Sequence, residues 1–303
     1  MFLHNLSLAD FRNYTRKTFS FAPGLNLIIG PNAQGKSNLL EAVHLLATGT
    51  SRRADLVEEM IRYGQDIARV MGKIIQNAQK TLNIRQSGLS EFSESFELEV
   101  VLTRGVLLGE KVAKKKFTVN GVAKRQFDFV GLLKAVAFSP EDLEIIIDGP
   151  SLRRDYLDLV LAQTNRDYAR ALLSYFKGLR QRNKLLEQIR DQHRPRTSLY
   201  FWNRLLIDNG DLLARCRNDL INFINQNSVR YGRLFLAYQR NLISPERLAH
   251  YAQAEIAAGK TLVGPHRDDF EIATHDTQHA TRSLHIYGSR GEQRTAVFYL
   301  KLA

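Results

Sequence analysis

The apolar positions of the first 140 residues predict a β-rich region built around one helix. Residues 3–8 alternate weakly between apolar and polar, and residues 17–21 follow after a short polar gap, which predicts two strands joined by a turn. Further strands are predicted at 25–29, 67–74, 81–86, 96–102, 115–120, 122–127 and 135–138. Asn120-Gly121 is a strong signal for a two-residue hairpin. Helical periodicity is predicted at 38–47 and 55–63. Ser139-Pro140 predicts a further helix start, with Ser139 as the N-cap and Pro140 at the first helical position. We therefore expect a largely antiparallel sheet following the first helix.

The spacing of apolar residues becomes helical between about 151 and 250. Leucine and phenylalanine positions recur there at alternating steps of four and three, in two stripes centred near Leu179 and Leu220. Strand patterns return at 260–263, 270–274 and 283–287. The predicted fold class is α/β, a P-loop head with a mixed sheet, an antiparallel β subdomain and an inserted α-helical lobe. We expect residues 1–150 and 251–303 to form the head and residues 151–250 the lobe.

A glycine-rich segment joins the predicted strand at 25–29 to the predicted helix at 38–47. It fits the P-loop pattern and consists of Gly30, Pro31, Asn32, Ala33, Gln34, Gly35, Lys36 and Ser37. Glycine lets the backbone amides approach phosphate oxygens, the Lys36 ammonium binds the β- and γ-phosphates, and the Ser37 hydroxyl is a Mg²⁺ ligand. The segment predicts a site for the phosphates of a nucleotide and for Mg²⁺. A chance match in a glycine-rich turn is the alternative, and the strand–loop–helix context disfavours it.

Composition narrows the class of protein. The 303 residues carry a formal net charge of +12, which favours a polyanionic partner, with nucleic acid as the leading candidate. The sequence contains no apolar run long enough to span a membrane and no secretory signal, and its one cysteine, Cys216, suits a reducing compartment. We therefore expect a cytoplasmic protein without a membrane partner, in which Cys216 fills the core.

The window from 165 to 204 is the most basic part of the predicted lobe. It holds ten arginine or lysine residues against three acids, and it contains Tyr200, Phe201 and Trp202. Two interpretations are equally open. The window binds a phosphate backbone, with the aromatic residues nearby, or it is a solvated helix face with aromatic residues in the core.

A second anion-binding turn is predicted near the C-terminus. Ser289, Arg290, Gly291 and Glu292 precede an apolar helical stretch, and they resemble the S-x-G-[EQ] signature of ABC-type ATPases. In that superfamily the signature of one subunit contacts the γ-phosphate held by the P-loop of another. The short pattern is weak alone but stronger together with a P-loop 252 residues before it, as counted from Ser37 to Ser289.

These segments, taken together, resemble the RecF family of bacterial DNA replication and repair proteins, whose head is similar to SMC-type ATPases. The matching segments are 10–14 (Asp-Phe-Arg-Asn-Tyr), 30–37, 138–143, 153–158, 261–269 and 289–295. The resemblance implies a recombination mediator that binds ATP and dimerises on duplex, gapped or single-strand-junction DNA. It also implies cooperation with RecR and RecO in loading RecA during gap repair, and a weak DNA-stimulated ATPase.

The sequence departs from the family pattern at one point. Such ATPases have an apolar strand ending in two acids, the Walker B element, after the signature helix, and the sequence stops at Ala303. The segment 143–148 resembles Walker B only superficially, because Glu144 interrupts its apolar run. We expect a C-terminal truncation, no catalytic residues in this chain, and impaired ATP hydrolysis.

Smaller candidates and rival functions remain open. His266, Asp268 and Asp269 suggest metal ligands, but a turn network is favoured because alternation along a strand sends 268 and 269 to opposite faces. Arg12 reaches either the nucleotide or a surface ion pair, and Arg52 and Arg53 face nucleotide or DNA. The rival functions are an ABC transporter ATPase subunit and a P-loop kinase. The long spacing to Ser289 and the basic lobe argue against the transporter, and the Ser289 pattern argues against the kinase.

Overall fold

The computed structural model describes residues 1–77, 93–227, 234–275 and 281–303; the strand predicted at 81–86 lies outside these ranges. The chain divides into two compact units, 1–137 and 138–303. The assignment of 1–150 and 251–303 to one head stays a prediction. No helix among the described residues combines the length and the apolar character that a membrane span requires.

The first unit is an antiparallel sheet of six strands in the order β2-β1-β3-β4-β7-β8, with a separate two-stranded hairpin, β5-β6. Its strands are β1 (Phe2–Phe11), β2 (Tyr14–Ser20), β3 (Ile67–Asn77), β4 (Ser93–Thr103), β5 (Val106–Leu107), β6 (Glu110–Lys111), β7 (Lys115–Val119) and β8 (Val122–Lys124). Its helices are α1 (Lys36–Thr48) and α2 (Gln126–Phe129), with a 3₁₀ turn at Val57–Met60. Every strand pair among these residues is antiparallel.

Helix α1 packs on one face of this sheet and forms its core. Leu39, Leu45 and Leu46 of α1 are buried against alternate residues of the strands, including Leu8 and Val70. A side chain at Gly72 of β3 would place its Cβ 2.7 Å from Leu46, so glycine is what lets the helix lie this close to the sheet. The sheet thereby fixes the position of α1, whose N-terminus follows the P-loop.

The two hairpins predicted in this unit are confirmed. The first two strands form a hairpin, and Asn120 and Gly121 both have positive φ (49° and 77°) between paired Val119 and Val122. Other predictions are wrong. Residues 25–29 and 135–138 form no strand, and Leu25 and Val136 are 95% and 73% exposed. They find no strand partner within the described ranges. The helix predicted at 55–63 is only the short 3₁₀ turn, and the strand predicted at 122–127 ends early where α2 begins.

The second unit combines helices with a three-stranded antiparallel sheet in the order β11-β10-β9. Its strands are β9 (Leu234–Gln239), β10 (Asp269–His275) and β11 (Thr281–Ser283). Its helices are α3 (Glu144–Ile147), α4 (Pro150–Thr164), α5 (Arg166–Gln192), α6 (Tyr200–Gln226), α7 (Pro245–His250), α8 (Ala252–Ala258), α9 (Leu284–Tyr287) and α10 (Arg290–Leu302). Short 3₁₀ helices lie at Pro140–Leu143, Arg196–Leu199 and Pro265–Arg267.

Helices α5 and α6 are the predicted pair of the lobe. They pack closely at Gly178, where a Cβ would lie 2.5 Å from Leu205. Two arginines of these helices are buried. Arg182 of α5 bonds Glu255 of α8 at 2.6 Å, and Arg217 of α6 bonds Asp158 at 2.7 Å. Each buried charge therefore has its acidic partner, as burial requires.

The second unit corrects three predictions and confirms two. Strand β9 was not predicted within the helical region; residues 260–263 form no strand; and 283–287 is mostly helix α9. Ser139 begins a helical turn with a capping box to Asp142 and Pro140 at the first position, as predicted. Residues 144–147 are helix α3, so the segment resembling Walker B is not a strand.

Candidate nucleotide-binding site

The predicted P-loop is an exposed loop that ends at the start of α1. Gly35 precedes the helix with φ 95°, and Ala33 also has a positive φ of 64°. A Cβ on Gly35 would lie 2.6 Å from the Asn13 side chain and 2.9 Å from the Tyr14 hydroxyl. Glycine is therefore required at 35 for its backbone angle and for the close approach of its neighbours.

The turn between β1 and β2 contacts the end of this loop and the first turn of α1. Asp10 and Arg12 both adopt positive φ (47° and 53°), which turns Asn13 and Tyr14 toward the P-loop. The Tyr14 hydroxyl donates to the Gly35 carbonyl at 3.1 Å, and the Asn38 amide of α1 donates to Asn13 at 2.9 Å. The segment 10–14 thus has a physical role, since it holds the end of the loop and the first turn of α1 in place.

Lys36 places its ammonium inside the loop. Its Nζ donates to the carbonyls of Gly30 and Pro31, each at 2.6 Å. The side chain therefore folds back over the loop that precedes it, and its positive charge lies beside the N-terminus of α1. The first N–H groups of a helix have no intrahelical acceptor, and the helix dipole adds positive potential there. Amides, dipole and ammonium together suit a polyphosphate.

Ser37 follows in the first turn of α1 and is exposed. A hydroxyl beside a lysine at this place can take one position around a Mg²⁺ ion that also binds phosphate oxygens. Within the described residues, the acids, histidines and cysteine form no cluster of three that suits a metal ion.

Arg12 and Arg53 belong to a polar network beside α1. Arg12 makes two hydrogen bonds with the buried carboxylate of Glu41, at 2.6 and 2.9 Å, and Ser51 donates to the same carboxylate at 2.6 Å. Arg53 donates to Asn38 at 3.0 Å. Of the two roles proposed for Arg12, the structure shows the ion pair, and it is partly buried.

An open cavity of about 480 Å³ lies against this network. Its lining includes Asn13, Asn38, Arg53 and Tyr63, with Tyr63 98% exposed. Arg52 is also exposed. Asn13, Asn38 and Tyr63 were not predicted as site residues, because neither asparagine is part of the P-loop pattern and Tyr63 lies 26 positions beyond Ser37.

The Ser289 turn, defined as residues 288–292, begins helix α10. Ser289 and Glu292 of this turn form hydrogen bonds with each other. The Ser289 hydroxyl accepts from the Glu292 N–H at 3.3 Å, and the Glu292 carboxylate accepts from the Ser289 N–H at 2.8 Å. Arg282 also pairs with Glu292. The Ser289 N–H and the Arg282 guanidinium lower the pKa of Glu292 to about 2. Gly291 is exposed beside Ser289, and no atom of the described residues lies within 4 Å of its Cβ position.

The residues considered as metal ligands form a turn network instead. Asp268 is buried and accepts from Arg217, Tyr238 and the Asn241 N–H. Asp269 pairs with Arg153 at 2.6 Å.

His266 completes this network. It bonds the Tyr175 hydroxyl at 2.8 Å, and burial lowers its pKa to about 4. The favoured prediction of a turn network is therefore confirmed. Cys216 is half-buried in α6, and burial raises the pKa of its thiol, which suits a packing role.

A family model described as RecF/RecN/SMC N terminal domain matches residues 2–303. A protein named DNA replication and repair protein RecF from Symbiobacterium thermophilum is 33% identical over 327 residues, which cover all of this chain and 79% of that protein. Its namesake from Roseiflexus castenholzii is 34% identical over all of this chain and 81% of that protein. The chain belongs to the RecF family.

Solved structures agree with this assignment. The recombination mediator protein RecF-ATP in the RecFOR pathway has a TM-score of 0.82 at 30% identity, over 99% of this chain and 79% of that one. The RecF-ATPrS structure of the same pathway has a TM-score of 0.80 at 29% identity, over 99% of this chain and 80% of that one. The chain therefore has the head fold of the SMC/ABC-type ATPases, and its family is one of P-loop proteins of DNA replication and repair. The predicted family and fold class are confirmed.

Proposed function

We propose that this chain is an ATP-binding DNA repair factor that acts as a recombination mediator, with its nucleotide held by residues 30–37. The observation that carries the proposal is the position of the Lys36 ammonium. It lies inside a loop whose end, Gly35, accepts a hydrogen bond from the Tyr14 hydroxyl at the N-terminus of a helix. A phosphate group takes the place of the two carbonyl acceptors as the partner of Lys36.

Each residue of the loop has a defined task in this proposal. Lys36 neutralises charge between the β- and γ-phosphates, the amides of 32–37 donate to phosphate oxygens, and Ser37 ligates the accompanying Mg²⁺. Gly35 keeps the amides clear of side-chain atoms. Asn13 and Tyr14 fix the loop without touching the ligand.

Ser289 and Gly291 act on the nucleotide of a second copy. The capping box orients the Ser289 side chain, its O–H turns to a phosphate oxygen when the nucleotide is present, and Gly291 leaves room for that phosphate. Their donors are too few to bind a triphosphate alone. We propose that they close over the γ-phosphate bound to the other copy, so that ATP joins two protomers as a homodimer.

The dimer binds duplex DNA, or DNA at gaps and single-strand junctions, through its basic surface. The net charge of +12 supports a polyanionic partner. The names of the similar proteins support action in the RecFOR pathway, and we extend this to cooperation with RecR and RecO in loading RecA. ATP binding sets the time during which DNA is held, and no covalent bond of the DNA changes.

Sedimentation velocity with and without ATP, Mg²⁺ and a gapped duplex tests this function. We expect a dimer only with ATP, and a Lys36→Met variant that stays monomeric. DNA affinity should fall steeply with salt. A protein that binds ATP but remains a monomer indifferent to DNA would instead support the kinase alternative, and this result would overturn the proposal.

A further inference from the structure

Helix α5 carries a continuous basic stripe that the P-loop does not account for. Five exposed cations recur along it at steps of four, seven, three and four residues, which places them on one face. They are Arg166, Arg170, Lys177, Arg180 and Lys184. At 1.5 Å per residue the stripe is about 27 Å long. A row of exposed cations of this length suits a chain of phosphates rather than a single anion.

The pairing of these cations distinguishes α5 from its neighbour. On α6, the exposed Arg204 and Arg215 each pair with an aspartate one turn away, at 3.0 and 3.2 Å. On α5, Lys177, Arg180 and Lys184 have no acidic partner among the residues the structure describes. The positive charge of this half of α5 is therefore available to an outside partner, whereas that of α6 is locally neutralised.

A pocket of about 250 Å³ opens at the C-terminal end of the stripe. Its lining consists of Gln181, Lys184, Leu185, Gln188, Arg194 and Trp202. Lys184 belongs to both the stripe and the pocket, so the two features are continuous. The lining contains two cations, two amide side chains, one leucine and one indole, and no acid. The set combines an aromatic surface, polar groups able to bond a base edge, and positive charge at the rim.

Trp202 lies here because of the close packing of the helices at Gly178. A Cβ on Gly178 would be 2.5 Å from Leu205 and 3.7 Å from the Trp202 ring, so glycine lets the first turns of α6 lie against α5. Tyr200 and Phe201, by contrast, are 81% and 63% exposed and do not line the pocket. The core interpretation of these two aromatics is therefore wrong, and only Trp202 is placed beside the stripe.

We propose that the α5 stripe and the Trp202 pocket form a binding site for single-stranded DNA. Lys177, Arg180 and Lys184 contact successive phosphates, and one unpaired base enters the pocket and stacks on Trp202. Single-strand binding sites combine these two elements, a basic track and an aromatic platform. A base in a duplex is already stacked and paired, so the pocket selects the unpaired strand. The site rests on the proposed DNA role for its class of partner, but it requires no ATP.

Trp202 is the one tryptophan of the chain, so its fluorescence reports on the pocket directly. The probes are an oligothymidylate of about 12 nucleotides, within the usual site size of such proteins, an abasic oligonucleotide of equal length, and a duplex of equal length. Without nucleotide, we expect the oligothymidylate to quench the fluorescence, and the abasic strand and the duplex to bind without quenching. Equal quenching by all three probes, or binding of oligothymidylate without quenching, would overturn the proposal.

Variants separate the stripe from the pocket. The triple variant K177Q/R180Q/K184Q should reduce the slope of log affinity against log salt by about 2, because each phosphate contact in a single strand contributes about 0.7. The matched control R204Q/R215Q also removes exposed arginines and should leave the slope unchanged. Equal loss of slope in both would indicate only an unspecific effect of net charge and would contradict the site.

The aromatic pair tests stacking in the same way. Trp202→Ala should weaken oligothymidylate binding about tenfold, a typical effect of losing one stacked base, while Tyr200→Ala should not. Anisotropy of a labelled strand measures both. Lys36→Met should abolish ATP binding but keep the quenching, so that failure of the lobe site and failure of the nucleotide site are distinguishable. Displacement of the strand by poly-glutamate together with a Trp202→Ala variant of unchanged affinity would indicate an acidic protein partner and refute the proposal.

Discussion

The two helix N-termini that the sequence marks as anion sites are built in opposite ways. The one at α1 has no side-chain cap: Gly35 precedes it in a left-handed conformation, and Lys36 bonds only loop carbonyls. The one at α10 is closed by its own carboxylate, because Glu292 already accepts from the Ser289 N–H. The first end is therefore open to a phosphate from outside, and the second can only add a hydroxyl to a phosphate held elsewhere.

This difference explains why the P-loop and the Ser289 turn, which both precede a helix, should contribute differently to nucleotide binding. A capping box satisfies the same amides that would otherwise bind an anion. The P-loop leaves these amides unsatisfied and adds an ammonium group. Nucleotide affinity should therefore reside in residues 30–37, while Ser289 affects self-association and the stability of α10. Four substitutions or conditions test this division, in order of decreasing expected effect.

Lys36→Met removes the positive charge that distinguishes the N-terminus of α1 from that of α10. Two charge-assisted hydrogen bonds to phosphate are worth about 1.5–3 kcal/mol each, so ATP affinity should fall at least a hundredfold. Titration calorimetry measures the loss. Lys124→Met, an exposed change on β8, is the control and should leave affinity unchanged. Unchanged affinity of the Lys36 variant would show that the nucleotide lies elsewhere.

Gly35→Ala tests whether the loop needs its close contact with Asn13 and Tyr14. The new Cβ would meet both side chains and would also adopt a positive φ, which together should lower the free energy of unfolding by about 3 kcal/mol. Gly24→Ala has a similar φ of 91° but open space around it, so it should cost about 1 kcal/mol. Urea unfolding compares the two. Equal costs would mean that the contact with the β1–β2 turn is unimportant.

Ser289 has two roles that substitution can separate. Ser289→Ala removes the cap and should cost about 1 kcal/mol of stability, and it should abolish ATP-driven dimers while monomer affinity for ATP persists. Ser289→Asp keeps a capping oxygen but places a negative charge toward the phosphate, so it should retain stability and still prevent dimers. Thermal unfolding and sedimentation measure the two effects. A Ser289→Asp variant that dimerises normally would exclude the turn from the γ-phosphate contact.

Acid should weaken the start of α10. The pKa of Glu292 is lowered from its usual value to about 2. Its stabilising contribution is therefore complete above the unfolded-state pKa and is lost as the pH falls through about 2. The effect is small because the group is exposed. Protection factors, which correct for the intrinsic pH dependence of amide exchange, should fall in the first turn of α10 between pH 4.5 and 2 in the wild type, and Glu292→Gln should remove this dependence. A wild-type profile flat across that window would contradict the capping geometry.

Local signals account for the features that the sequence predicts well. The start of α1 after Gly35, the Asn120-Gly121 turn and the Ser139-Pro140 helix start each depend on a few neighbouring residues, and these three backbone predictions are confirmed. Features that depend on distant partners were missed. Residues 25–29 have the composition of a strand, but a strand forms only beside a partner. Strand β9 lies within a helical pattern and forms because it pairs with β10.

Partners distant in sequence also account for errors at the candidate sites. The sequence did not decide whether Arg12 binds the nucleotide or forms an ion pair. Its partner Glu41 lies 29 residues away and is not part of any motif. Arg182 belonged to the basic window but is buried on Glu255, 73 residues away. The sequence does not show which cations of α5 are buried, so the exposed stripe could not be distinguished from the buried Arg182 before the structure was known.

Amide hydrogen exchange with and without ATP and Mg²⁺ measures both helix N-termini in one experiment and tests the central claim most directly. At protein concentrations where the chain is a monomer, we predict that ATP protects residues 30–38 and leaves 288–294 unchanged. Protection of 288–294 should appear only at concentrations where dimers form, and it should be absent in Ser289→Asp. ATP binding without protection of 30–38, or equal protection of both segments in the monomer, would contradict the account.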